Sequence, residues 1–308
     1  MVDTDKPLKF SLTPFYVTRQ FYYGLETGEA VPSGFDIDLE YNHSPHKDHV
    51  LICGSVDAST ISLGKFLLAK SISHTYTLPT DPVMVATALA YKEGNGMFVR
   101  TKGDIDSPTD LAGKRVGIHD KSMVFVYHNA ILEDLFDVPV DEIEWVFDTH
   151  QGLTKRMEEG DIDAVERVGD WYWNLRTSDD HEMLYDMAKQ WNELEGYDPI
   201  VHVIGANDEF YDARQDDVET LVGALQASAQ YRNEHYEDIL AEFATENDDR
   251  TEWTGEKTIE ELRRITGSSQ ASFTLTDTDR QKVRDWMEYA ERYGVMAEPV
   301  PDERLYPE

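Results

Sequence analysis

The sequence predicts an α/β protein of two lobes, each a mostly parallel sheet flanked by helices, with a ligand cleft between the lobes. Three observations carry this prediction. From residue 97 to about 200, short apolar runs alternate with helix-period segments, the rhythm of βαβ units and hence of a parallel sheet covered by helices. The 308 residues leave room for two domains of ordinary size. Several apolar runs end in polar loops that open helices, which is where open α/β sheets hold ligands.

In chain order, Leu8 to Leu12 alternates apolar and polar positions as a strand does and ends at Thr13-Pro14-Phe15-Tyr16. Thr18 to Leu25 suits a helix stopped near Gly28. Phe35 to Tyr41 alternates throughout and predicts a second strand with one wet face. Val50 to Cys53 reads as a third strand, and Val56 to Thr60 then leads into a helix through Leu68. Val83 to Tyr91 is a continuous apolar run that suits a buried strand. Gly94-Asn95-Gly96 interrupts it as a crossing between lobes before Met97 to Arg100 resumes.

Ser107 and Pro108 form an N-cap and first-position pair, Gly113 stops the short turn they open, and Arg115 to Ile118 reads as a buried strand. That strand delivers His119-Asp120-Lys121-Ser122 to the start of the next helix, whose first N–H groups lack intrahelical partners and can receive an anion. Helix Phe125 to Leu135, strand Ile143 to Phe147, helix Gly152 to Glu158, strand Ala164 to Val168 and helix-like segments through Trp191 follow. Val201 to Ile204 reads as a strand crossing back. Helical spacing then recurs in Val218 to Tyr231, Asn233 to Ala244, Thr258 to Thr266 and Thr278 to Tyr293, the last capped by Asp277 and stopped by Gly294. One lobe is thus expected over residues 1–93 and 204–308, the other over 94–203.

The chain carries 61 Asp and Glu against 28 Lys and Arg, a formal net charge of -33. The acids are spread along the whole chain, which reads as adaptation to high salt and excludes nucleic acid and anionic membranes as partners. Cys53 stands alone, so no intrachain disulfide or cysteine-rich metal cage is expected. The acidic start does not resemble a signal peptide and no segment suits membrane insertion. As written the protein reads as cytoplasmic, and as extracytoplasmic if a signal segment has been removed.

Val99-Arg100-Thr101, Ile105 to Pro108, Asp110-Leu111, Gly113 to Gly117, Ile131-Leu132-Glu133 and Ile143 to Val146 together resemble the 4,5-dihydroxyphthalate decarboxylase-like branch of the type II periplasmic-binding-protein fold. The Asp-Leu-x-Gly-Lys-x-Val-Gly core, residues 110–117, also recurs in nitrate, sulfonate and pyrimidine-precursor binding proteins of ABC importers. Leu89 to Gly96 departs from the decarboxylase-like branch, which usually carries a Phe-Arg-His-like segment there. The resemblance implies two lobes joined by a two-strand hinge that close over a small organic ligand.

Loops at the C-terminal ends of strands would line that cleft. They place Thr13, Tyr16 and Arg19 after the first strand, Ser59 and Thr60 after the third, His119, Lys121 and Ser122 after the strand Arg115 to Ile118, and Glu166, Arg167, Asp170, Trp171 and Trp173 further on. In a chain short of cations, Arg19, Lys121 and Arg167 point to a carboxylate or other anion, against the alternative of ordinary ion pairs. Trp171 and Trp173 either stack on a planar ligand or pack in a core. Ser59 and Thr60 offer hydroxyls to a ligand or cap a helix. His119 is the candidate general acid, set against a plain loop histidine.

His43, His46 and His49 are evenly spaced, but Pro45 argues against a regular helix that would gather them, so no metal is expected and no cofactor either. Two functions are weighed, the first as the main reading and the second as its alternative. One is a dihydroxyphthalate decarboxylase-like enzyme, with Lys121, Arg19 and Arg167 holding an aromatic acid and His119 donating the proton. The other is a non-catalytic solute receptor of an ABC importer. The partner in either case is a small organic anion; an ABC permease, if the protein is exported, and a homodimer stay open.

Overall fold

Alternating apolar residues set the strands Leu8–Leu12 and Ile37–Tyr41, and largely apolar runs set Val83–Tyr91 and Ile200–Ala206. The structure, a computed structural model, describes residues 6–42, 46–73, 78–246 and 258–307, apart from the side chains of Lys47 and Asp170. It divides into two compact units. The first comprises residues 1–90, 200–291 and 296–308, the second residues 91–199 and 292–295.

The first unit holds a six-stranded sheet. Its strands are β1 (Leu8–Leu12), β2 (Ile37–Tyr41), β3 (Ala58–Ser62), β4 (Val83–Tyr91), β10 (Ile200–Ala206) and β11 (Ser269–Ala271). Their order is β11-β4-β10-β3-β1-β2. β1 runs parallel to β2 and β3, whereas β10 runs antiparallel to β3 and β4. The second unit has a five-stranded sheet of β5 (Asn95–Arg100), β6 (Arg115–Ile118), β7 (Glu144–Phe147), β8 (Ala164–Val168) and β9 (His181–Asp186), in the order β7-β6-β8-β5-β9. β6 is parallel to β7 and β8, and β5 is antiparallel to β8 and β9. Both sheets are therefore parallel where βαβ units build them and antiparallel where β10 and β5 join.

Gly117 shows how tightly the second sheet is covered. A Cβ there would lie 2.6 Å from Ile162 Cδ1 and 2.8 Å from Leu153 Cδ2, so only glycine lets these side chains close over β6.

Some elements differ from expectation for physical reasons. Val50 to Cys53 is not a strand: His46–Ile52 is a helix, with the Cys53 N–H donating to His49 O at 2.8 Å. Four apolar residues suit a strand or one helical face equally. β9 lies within the stretch expected to be helical, because its apolar residues Met183, Leu184 and Tyr185 are consecutive and show no strand alternation. The helix expected over Thr18 to Leu25 is two short ones, Tyr16–Arg19 and Tyr23–Glu26. The helix Asp277–Arg292 is capped one residue early: Thr276 Oγ1 accepts from Asp279 N at 3.2 Å, and the Asp279 carboxylate accepts from Thr276 N at 2.9 Å. Arg292–Val295, expected with the first lobe, packs in the second unit, where Arg292 pairs with Asp134 and Tyr293 Oη donates to Glu133.

Candidate functional site

In the second unit, β6, β7 and β8 run parallel and end at neighbouring positions, so their following residues meet. β6 leads into His119 to Ser122, β7 into Thr149 and the helix His150–Glu159, and β8 carries Glu166 and Arg167 into the helix Gly169–Arg176. Thr149 caps its helix by accepting from Gly152 N at 3.1 Å.

Arg167 is 1% exposed. Its guanidinium donates to Glu166 O and to Thr154 Oγ1, each at 3.0 Å, and lies 5.9 Å from the centre of the Trp171 ring. Among the described residues no carboxylate pairs with it. Burial brings its pKa down to about 10, against the attraction of Glu166. A buried cation supplied with neutral acceptors has a strong demand for an anion.

Rings wall this position. His150 stacks on Trp171 at 5.9 Å with planes 22° apart, and its ring centre lies 4.3 Å from that of His119. Burial, then the neighbouring charges of His119 and Arg167, push the His150 pKa down to about 3, so its ring is neutral. His119 is half-exposed, with Nε2 4.0 Å from the Asp120 carboxylate. Ser122 Oγ donates to that same carboxylate instead of capping the helix Met123–Ala130. Lys121 is exposed and lies over the Phe125 ring at 5.6 Å.

Glu166 is fully buried, and neither carboxylate oxygen has a hydrogen-bond partner among the described residues. Burial raises its pKa to about 7. The His119 N–H and the Asn95 amide face it and oppose the rise, without reaching hydrogen-bond geometry. Asn95 Oδ1 accepts from His128 Nε2 at 3.1 Å, and His128 Nδ1 accepts from Tyr185 Oη at 2.8 Å.

The two tryptophans separate. Residues two apart on a helix do not face the same way, so the expectation of paired rings fails on Gly169–Arg176. Trp173 is a core residue, edge-on to Tyr172, which is edge-on to Phe98.

The first unit gathers its own candidates, all buried. Thr13 Oγ1 lies 2.8 Å from Thr18 Oγ1, and Thr60 Oγ1 lies 2.8 Å from Tyr22 Oη. Ser59 Oγ donates to the Ser11 and Thr60 carbonyls, and Tyr16 packs on Phe243 at 5.1 Å. Ser59 and Thr60 sit inside β3 and cap nothing; the N-cap of the helix Leu63–Ile72 is Ser62. Arg19 is a correction. Its guanidinium, 3% exposed, is gripped by Glu26 at 2.9 Å and Glu246 at 2.5 Å, so the protein itself supplies the anions. Those carboxylates outweigh burial and raise its pKa.

Sequence reasoning passed over Asn95, His128, His150, Thr154 and Tyr185. His150 follows a parallel strand just as His119 does, and that rule could have found it. Asn95 lies in the Gly94-Asn95-Gly96 stretch that the sequence assigns to a crossing between lobes. Among the described residues no group of His, Cys, Asp or Glu could hold a metal ion, and no helix is long and apolar enough to cross a membrane. His43 lies outside the described residues, while His46 and His49 belong to the helix His46–Ile52.

Residues 69–239, more than half of the chain, match the NMT1/THI5-like family. The chain belongs to that family. No curated protein matches this NMT1/THI5-like chain in sequence. Among solved structures it is similar to the periplasmic aliphatic sulphonate binding protein SsuA of Escherichia coli, with a TM-score of 0.77 at 12% identity over 99% of this chain and 93% of that one. The alkanesulfonate-binding protein SsuA of Xanthomonas axonopodis pv. citri, bound to MOPS, gives 0.70 at 13% identity, covering 99% and 97%. A DSZB variant in complex with biphenyl-2-sulfinic acid gives 0.64 at 15%, covering 98% and 96%. The fold is that of the type II periplasmic binding proteins, as the sequence predicts. None of these three is described as a decarboxylase.

Proposed function

We propose that this NMT1/THI5-like chain is a solute-binding protein for a small organic anion, a sulfonate or carboxylate, working outside the cytoplasm for an ABC importer. One observation carries the reading: Arg167 is a buried guanidinium that the described residues leave without a carboxylate. A planar donor fork of this kind suits the oxygens of a sulfonate or carboxylate. The His119, His150 and Trp171 rings give the anion's organic part an apolar wall, and Ser122 and Lys121 stand at the mouth of the adjoining helix. The sulfonate-binding relatives on this fold support the receptor over the enzyme.

The test is calorimetric titration of the full chain with methanesulfonate, benzenesulfonate and benzoate. Binding of at least one is expected. Arg167→Met should weaken it about tenfold to a hundredfold, the worth of a charged hydrogen bond. No binding, or binding indifferent to Arg167→Met, refutes the site. Release of CO2 from a bound aromatic acid would restore the decarboxylase.

A further inference from the structure

Glu166 has no evident reason to be a carboxylate. It is completely enclosed, and a buried carboxylate without hydrogen bonds is costly unless it takes a proton. The charged and titratable groups around it come from several elements. Asp120, in the loop after β6, repels it, and Arg167 of its own strand attracts it. Tyr185 of β9 lies within its field. Asn95 of β5 faces it and is held from behind by His128 of the helix Met123–Ala130, a ring that burial keeps neutral with a pKa lowered to about 3. Among the described residues, the cation that attracts it is the guanidinium already assigned to the ligand. Adjacent strand residues point to opposite faces of a sheet, so Glu166 reaches the Asn95, His128 and Tyr185 side while Arg167 reaches Thr154 and Trp171.

Binding at Arg167 therefore changes the field at Glu166 in one direction. The ligand's negative charge cancels the attraction of the guanidinium and adds to the repulsion from Asp120. We propose that Glu166 is the proton acceptor coupled to the site: an anion bound at Arg167 brings a solvent proton onto the Glu166 carboxylate, so the site takes up anion and proton together. This rests on the anion-binding reading above. The proton forms an O–H bond at Glu166, no other bond changes, and the bound pair is neutral overall. Burial already lifts the carboxyl to about 7, where a modest added charge decides its state.

The experiment titrates the full chain with benzenesulfonate and with benzoate at about pH 8, in Tris and in triethanolamine, whose ionisation enthalpies differ. Sulfonate buffers are avoided because they are themselves candidate ligands. Wild type should take up more than about half a proton per anion, and its affinity should fall by up to about tenfold per pH unit above neutrality. Glu166→Gln should bind with no uptake and a flat pH profile. Binding by wild type without uptake, or uptake that persists in Glu166→Gln, overturns the proton coupling and leaves the binding site standing. Failure of both probes to bind overturns the binding reading and the coupling together.

Discussion

Replacing Glu166 by Gln makes a prediction that needs no ligand. The carboxyl lies at 4.5 in its ordinary state and at about 7 in the folded chain. Between those values the native state keeps a proton that the unfolded state has released, so stability falls as pH rises through the window and levels off above it. At 1.36 kcal/mol per pH unit, the whole window is worth about 3 kcal/mol. Gln is isosteric and does not titrate. The difference in unfolding free energy, wild type minus Glu166→Gln, should therefore drop by about 2 to 3 kcal/mol between about pH 5 and about pH 8. Urea denaturation across that range measures it. His128 and His150, both lowered to about 3, lose stability in the opposite direction as pH falls below their ordinary value, but they are present in both proteins and cancel. A flat difference, or one rising with pH, would refute the picture of a buried and unsatisfied carboxyl.

Other expectations follow from named contacts. Arg19→Met leaves Glu26 and Glu246 without their shared cation, which should cost about 3 to 5 kcal/mol in denaturant melts while anion affinity in calorimetry stays unchanged. Gly117→Ala drives a methyl into Ile162 and Leu153, and thermal melts should show a loss of about 1 to 3 kcal/mol. With a net charge of -33, the melting temperature should climb with KCl from millimolar to molar concentration; a fall would remove the case for a salt-adapted surface.

Much of the fold was legible because local patterns carry it. Leu8–Leu12, Val83–Tyr91, Arg115–Ile118 and Ala164–Val168 are strands with the bounds their residues predict. The string from Val99 to Val146 pointed to the right fold but, through its decarboxylase-like features, to a function that none of the three structures named above is described as having. Misreadings fell where pattern is degenerate: the apolar run Val50 to Cys53, which closes a helix, and an edge strand at His181–Asp186.

Arg19 and Arg167 draw the line between sequence and tertiary structure. Each follows or ends a predicted strand, and by residue type and spacing they are equivalent anion binders. What distinguishes them is distant in the chain: Arg19 meets Glu26 and, 227 residues away, Glu246, while Arg167 meets a threonine hydroxyl and a carbonyl. Strand and helix arise from neighbours a few residues apart, so the sequence determined where each arginine would stand. Whether a buried charge is already neutralised depends on carboxylates brought in by folding, and only the tertiary structure decided that.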